Sequence, residues 1–433
     1  MADVTAIVLN WARLENVKSI VAHLCDEPLR DTISNVIVWN NSPDRIDASE
    51  FVADERVRII NSDENLFFQA RFLACLEAEG EWCLVQDDDY LVSTESIKAL
   101  RKYTGLYNTK YPIHLLPPHE HLSTTLRILV HSPLHVASFA WLGHGTLLSK
   151  SHARAFMEVL KAESANQEHI MQMADNFFSV LLNRRADVWV DRGMHFAEGR
   201  EVAFTVGAEG DARNWYYTAI AEKYLEGIVQ RAEPNGYTDL EPKEEEEELI
   251  TRSPASTHGL WSTNVPMLPR NVFEAGRNAT DLRSADMTRR SALGEVDARH
   301  YIHHSFACVG DGLEHTVFKS PAGCEEGQWL SFDLLEKVEA SRIEIEWAVE
   351  PEFAHEVQAM NYQISEDREW INAVVQECTR VKSESPEWIK VSTRLDLESP
   401  RILNIVRANI GPGSGSERPA WGVAGCAVRV VPE

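Results

Sequence analysis

The chain has 433 residues, 44 % of them apolar and 25 % charged. That mix excludes a disordered, collagen-like or fibrous protein and fits two or three domains. Sixty-seven acidic residues against 42 Lys and Arg give a formal charge of −25, which makes a poor nucleic-acid or anionic-membrane binder, because phosphate contacts need cationic surface.

Residues 4–9, β-rich and followed by polar residues, are expected to form a buried parallel strand. Leu14–Leu24 has helical spacing through Val17, Ile20, Val21 and Leu24. Residues 36–39 read as a second buried strand, ended by the turn signal Asn40-Asn41-Ser42-Pro43. A third strand at 57–60, a helix at 65–76 and a fourth strand at 82–85 follow. Such alternation predicts a parallel α/β sheet with right-handed crossovers. Further on, 113–118 and 137–142 are candidate strands, 149–161, 170–182 and 215–232 are helices, and 188–190 is a strand. Within 170–182, Met171, Ala174, Phe178 and Leu181 share one face, which places Asp175 at the edge of an apolar stripe.

Pro242 and the five glutamates at 244–248 mark a self-repelling, solvated stretch. The domains are therefore read as 1–238, an acidic and extended connection at 239–300, and 301–433. In the last, 328–334, 341–347, 359–364, 388–392, 401–410 and 428–431 are short β-type runs between polar turns, the pattern of an all-β sandwich. Seven cysteines without repeated spacing make no disulfide framework. Cys308 and Cys324 are the nearest to a pair. No apolar run reaches the ~18 residues of a membrane span. The N-terminus MADVTAIVLNW lacks the features of a secretory signal, so a cytoplasmic location is expected.

The most informative segment is Val85-Gln86-Asp87-Asp88-Asp89-Tyr90. Side chains at the carboxyl end of a parallel strand point into the ligand crevice. Carboxylates of alternate residues there can bind Mg²⁺ or Mn²⁺ through oxygen, and the metal would neutralise a diphosphate and help it leave. The competing reading is a solvated acidic loop. The pair His119 and His121 lacks a specific metal spacing and reads as part of a loop on the acceptor side.

With these pieces the chain resembles the GT-A glycosyltransferases, and most of all the exostosin carboxyl-terminal domain, glycosyltransferase family 64. Val36-Ile37-Val38-Trp39-Asn40-Asn41 resembles the family's second strand and turn, and 65–76, with Gln69 and Arg71, its donor-site helix. LVQDDDYLVST at 84–94 is similar to its metal motif. Trp141-Leu142-Gly143-His144-Gly145-Thr146 resembles its acceptor-side glycine segment, and Asp175-Asn176-Phe177-Phe178 the helix with its late acidic residue. The resemblance covers about residues 3–235. It implies a Rossmann-like, mostly parallel sheet and transfer of a hexosyl or N-acetylhexosaminyl group from a nucleoside-diphosphate sugar, usually UDP-linked, with Mn²⁺ or Mg²⁺. By position it implies Asp87, Asp89 and His195 at the metal and Asp88 in support. Asn10, Arg13, Asn65 and Arg71 would bind the donor nucleotide and phosphates, and Asp175 would be the catalytic carboxylate. The sequence departs from the family at Met171 and Gln172, where its acidic pair stands.

Val309-Gly310-Asp311-Gly312, the segment from Gly327 to Leu334 and the last strand from Trp421 resemble discoidin-like, or coagulation factor type C, modules. That resemblance implies a jelly-roll sandwich, often carbohydrate-binding, with Asp311 as ligand of a structural Ca²⁺. Trp329 reads as a core aromatic in preference to an exposed sugar platform. The function expected is a metal-dependent glycosyltransferase acting on a carbohydrate or glycoside hydroxyl. The alternative is a carbohydrate- or nucleotide-binding protein of the same fold without turnover. A nucleotidyltransferase would also use an acidic pair, but no Gly-rich phosphate loop follows the first strand.

Overall fold

The structure is a computed structural model that describes residues 2–196, 208–232, 236–242, 249–313, 315–366, 369–381, 387–412 and 418–431. The glutamates at 244–248 lie outside the described residues. In chain order the first half runs β1 (Val4–Asn10), α1 (Leu14–Leu24), β2 (Ile33–Asn40), β3 (Val57–Asn61), α2 (Gln69–Leu76), β4 (Trp82–Gln86), β5 (Tyr90–Leu91), α3 (Thr94–Tyr107), β6 (Ile113–Leu116), α4 (Pro118–Leu126), β7 (Ile128–Ser132) and β8 (His135–Ser138). It continues with β9 (Thr146–Ser149), α5 (Lys150–Glu163), α6 (Glu168–Gln172), α7 (Asp175–Leu181), β10 (Asp187–Val190), β11 (Met194–His195) and α8 (Ala208–Arg231). Then come β12 (Thr251–Ala255), β13 (Gly259–Thr263), α9 (Arg270–Ala275), α10 (Leu282–His303), β14 (Phe318–Gly323), β15 (Trp329–Val349), α11 (Ala354–Gln358), β16 (Asn361–Glu366), β17 (Glu369–Val381), β18 (Ile389–Asn409) and β19 (Ala420–Val431).

The α/β half has the sheet order β3-β2-β1-β4-β9-β6-β10. β1 pairs in parallel with both β2 and β4, and β2 with β3, whereas β9 runs antiparallel to β4 and β6. Residues such as Ala6, Ile7 and Val8 have no exposed surface, as a strand covered on both faces requires. One face is sealed by an apolar cluster that includes Phe72, Phe156 and Phe178 from α2, α5 and α7. The other is sealed by Val17, Ile20, Leu100 and Tyr103 from α1 and α3.

Several boundaries differ from the sequence reading. Residues 65–68 form a turn, in which Asn65 Oδ1 accepts from the Phe67 N–H at 2.8 Å, and the helix starts only at Gln69. Residues 113–118 are a strand only to Leu116, because Pro118 opens α4, where its missing N–H costs nothing. His119 and His121 therefore sit on a helix. Residues 137–142 are strand only to Ser138. The single helix expected at 170–182 is split into α6 and α7. The Gln172 carbonyl is taken by the Phe68 N–H at 3.0 Å, and bonds three residues apart bridge the break. All seven cysteines are free, Cys308 and Cys324 among them.

The largest correction is at 239–300. This stretch is not an extended connection: it carries β12, β13, α9 and most of the 22-residue α10. β12 pairs with β10 and β13, and β13 pairs with β15. Among the described residues, one hydrogen-bonded sheet of 15 strands thus runs from the α/β half into the β-rich half. There, four of the six expected short runs merge into two 21-residue strands, β15 and β18, and the runs at 359–364 and 428–431 fall in β16 and β19. β15 bends through register shifts between Asp333 and Val338 and between Ala340 and Arg342, with Leu335 at a φ of 56°, as strands do when they pass between layers. Trp261, Phe332, Trp347 and Trp421 fill the enclosed core. Trp329 is buried as expected, with the Arg407 guanidinium 4.1 Å from its ring centre.

Candidate functional site

The chain passes outward from β1 to β2 and β3, then returns to β4 on the other side of β1. A crevice opens at the carboxyl ends of strands wherever the order reverses in this way. Asn10, Asn40 and Asn61 stand in register at the ends of β1, β2 and β3. Asn10 Nδ2 donates to Asn40 Oδ1 at 2.7 Å, and Asn40 Nδ2 donates to Asn61 Oδ1 at 2.9 Å. This amide ladder leaves Asn10 Oδ1 buried without a partner in the protein.

The acidic triplet follows β4 directly. Arg13, just past β1, places Nη1 2.9 Å from Asp88 Oδ1 and 2.9 Å from Asp89 Oδ2. Arg71, buried on α2, donates from Nη2 to Asp87 Oδ1 at 2.7 Å and sets Nη1 3.2 Å from Asp175 Oδ2. Asp175, the first residue of α7, is itself buried. The glycine segment lies hard against the triplet: the Asp87 N–H donates to the Gly143 carbonyl at 2.8 Å. A Cβ on Gly143 would stand 1.9 Å from Asp87 Oδ2. A side chain at 143 would force the Asp87 carboxylate out of its present position.

Burial raises the pKa of Asp175 to about 7, with Arg71 opposing the rise and Asp87 adding to it. Burial and the neighbouring Asp87 charge raise Asp88 to about 6, against the pull of Arg13. Asp87 is also raised by burial, opposed by Arg71. The crevice thus holds carboxyls whose charge burial resists, as functional sites and buried ion-pair networks both do.

Of the residues expected at the site, Asn10, Arg13, Asn65, Asp87, Asp88, Asp89 and Asp175 line one cleft of about 1090 Å³, and Arg71 ties Asp87 to Asp175 beneath it. His195 enters through its backbone, which pairs with Tyr90 between β11 and β5. Its side chain lies outside the described residues. Asp311 is distant in role as well as in sequence: its carboxylate accepts from Arg192 at 2.9 Å, from Thr316 and from the Leu313 N–H. Those donors compete with any cation there.

Sequence reasoning places His119 and the 141–146 segment on the acceptor side and misses the rest of that wall. It is made by His119, Glu120 and Arg127 around α4, Asp211, Asn214 and Trp215 on α8, and Arg290 and Ile302 on α10. Nothing in the spacing of these residues brings α10 to the triplet.

Among the described residues, no group of three or more His, Cys, Asp or Glu is arranged to hold a metal ion. Mg²⁺-type sites in phosphate enzymes usually take one or two carboxylates and draw the other oxygens from substrate phosphate and water. Asp87 and Asp89 line the cleft, with the Asp89 side chain 40 % exposed.

No family model matches the sequence, and no curated protein matches it. Among solved structures the chain is similar to CpGH89CBM32-6 produced by Clostridium perfringens, at 20 % identity, 29 % of this chain, 83 % of that one and a TM-score of 0.18. It is similar to chitosan-binding module 1 of a chitosanase/glucanase from Paenibacillus sp. IK-5, at 16 %, 29 %, 86 % and 0.20. For CBM62 from Clostridium thermocellum Xyl5A the values are 18 %, 31 %, 88 % and 0.22. These neighbours are carbohydrate-binding modules. At such scores the likenesses leave the chemistry of the cleft to its own residues. No helix among the described residues is long and apolar enough to cross a membrane.

Proposed function

We propose that the α/β half is a glycosyltransferase that moves a sugar from a nucleoside-diphosphate sugar, a UDP-sugar first of all, to an acceptor hydroxyl. The observation that carries this reading is the acidic triplet held by Arg13 and Arg71 at the reversal of strand order between β1 and β4. The mostly parallel sheet, with β9 as its exception, supports the GT-A resemblance. A diphosphate entering the crevice meets the Arg13 guanidinium, which can exchange its carboxylates for phosphate oxygens. A divalent cation carried in with the donor would be held by Asp89 and Asp87 and would offset charge on the leaving diphosphate. Asn10 Oδ1 offers an acceptor to the nucleotide.

Asp175 takes the acceptor side. Its Oδ1 is buried without a hydrogen-bond partner in the protein, and it lines the cleft. A pKa near neutrality suits a general base, which contributes typically 10²–10⁴-fold. Arg71 sets the orientation of this carboxyl and of Asp87 together.

Two measurements test the reading. Asp89→Asn abolishes Mn²⁺-dependent UDP binding in calorimetry while the melting temperature stays nearly unchanged; unaltered UDP affinity sinks the metal assignment. Asp175→Asn keeps UDP binding and loses transfer by about a hundredfold or more, whereas a change under about threefold makes Asp175 structural.

The second reading is a carbohydrate- or nucleotide-binding protein without turnover. It is favoured by one observation: each aspartate of the triplet already answers an arginine, a closed charge network that can bind without reacting. Incubation with UDP- and GDP-sugars plus Mn²⁺, scored for free nucleotide, separates the two. Binding without release favours the second.

A further inference from the structure

We propose that the side of the cleft made by α4, α8 and α10 is a compartment for an uncharged, hydroxylated ring, such as a neutral glycoside; as the acceptor of the transfer, this rests on the transferase reading. The three helices are locked together. His121 Nδ1 on α4 lies 2.6 Å from the Tyr301 hydroxyl on α10, and the Leu282 N–H at the start of α10 donates to Glu222 on α8 at 2.6 Å. The compartment is therefore preformed, which limits what enters it.

Its charges disfavour anions. Arg127 and Arg290 line it, but both face Asp286, at 3.6 and 3.1 Å. Neither is available to pair with an anionic ligand without abandoning that carboxylate. Glu120 and Asp211 line the same space, so an anion would meet two carboxylates beside two occupied arginines. An uncharged ligand escapes that penalty.

Its lining includes an unpaired polar atom. Asn214 Oδ1, an acceptor, is buried and makes no hydrogen bond within the protein. A ring hydroxyl can donate to it, where an ether cannot. The wall also carries an aromatic ring. Trp215 lines the cleft with Arg127 stacked 4.5 Å from its ring centre, an apolar surface suited to the C–H face of a sugar-like ring.

The test is saturation-transfer NMR and titration on the full chain with UDP and Mn²⁺ present. The probes are methyl glycosides of neutral hexoses and N-acetylhexosamines, methyl glucuronide, and a Ser/Thr-rich peptide. A neutral glycoside is expected to bind about tenfold or more tightly than the glucuronide or the peptide. Trp215→Ala and Asn214→Leu, which removes the acceptor oxygen, should each weaken it about tenfold and leave UDP affinity unchanged. Equal or tighter binding of glucuronide or peptide, no saturable glycoside binding, or glycoside binding that both variants leave intact overturns the proposal. If the neutral glycoside binds in this variant-sensitive way but UDP does not, the compartment stands and the transferase reading falls.

Discussion

Arg71 has no solvent to answer its charge and two carboxylates that do. Its guanidinium is buried between Asp87 and Asp175, at 2.7 and 3.2 Å. Removing one partner of a buried pair leaves the others uncompensated, at a cost of about 3–5 kcal/mol. Arg71→Met is thus expected to destabilise the protein by about that amount in denaturant unfolding, far more than loss of an exposed pair. Asp175 gives a pH signature. Its folded pKa of about 7 lies above the ~3.9 of an aspartate in an unfolded chain. The folded state therefore binds that proton more tightly: the contribution is complete below about pH 4 and is lost as pH rises through about 7. Asp175→Asn removes this pH-dependent loss, so the stability of the variant relative to the parent should rise between about pH 5 and about pH 8, whatever the fixed cost of losing the Arg71 pair. A stability difference that is flat across that range contradicts the shift. At this scale the sequence was readable where chemistry follows a strand end: Asn10, Arg13 and the triplet all sit within a few residues of β1 or β4. The partnership of Arg71 with Asp175 was not readable, because it joins α2 to α7 across about a hundred residues.

Helix α10 shows where local pattern misleads. Its stretch is rich in Arg, Ser and Asp and interrupted by Gly294, so it reads as connection. The helix nevertheless forms, capped by Asp281, which accepts from the Ser284 N–H while Ser284 answers in return. Gly294 sits inside it at φ 74°, ψ 168°, a region nearly closed to other residues. No atom lies within 4 Å of where its Cβ would be, so any penalty at this position is one of backbone alone. Gly294→Ala should therefore cost about 1–3 kcal/mol, measurable as a shift of the denaturant midpoint. It should also disturb the cleft, because Arg290 precedes the kink and Ile302 follows it. Full stability in that variant would mean that the kink is dispensable. The split between α6 and α7 has a similar origin: a loop N–H from Phe68 captures a helix carbonyl, and no periodicity reports such a capture. By contrast, α1 was legible to the residue, since its apolar face alone decides it.

Across the whole molecule the two halves share hydrogen bonds where a change of composition suggested separate bodies. The link from β10 to β12 is a single pairing, Trp189 to Arg252, which explains why nothing local announces it. It is reinforced at a distance. Tyr107 at the end of α3 donates to Asp333 on β15 at 2.5 Å and accepts from Asn404 on β18 at 3.0 Å, and Arg192 bridges to Asp311 at 2.9 Å. A chain ending near residue 240 should then expose the β10 edge and the α3 surface beneath β12, β13 and β15. It is expected to bind a hydrophobic dye and to lose the sharp thermal transition of the full chain, which should melt once, by calorimetry and by circular dichroism alike. Two separate transitions in the full chain, or a sharply melting fragment, would restore two independent bodies.

Gly143 and Asp87 constrain each other's history. A side chain at 143 would claim the space of the Asp87 carboxylate, 1.9 Å away, so neither position can drift alone while the acid is in use. Release has an order: a lineage that abandons the aspartate frees the glycine, whereas one that first replaces the glycine displaces the carboxylate in the same step. In a library randomised at both positions and selected only for folding, larger residues at 143 should appear almost solely with small ones at 87. The pair would then serve as a record, written in two letters, of whether a relative still uses its crevice.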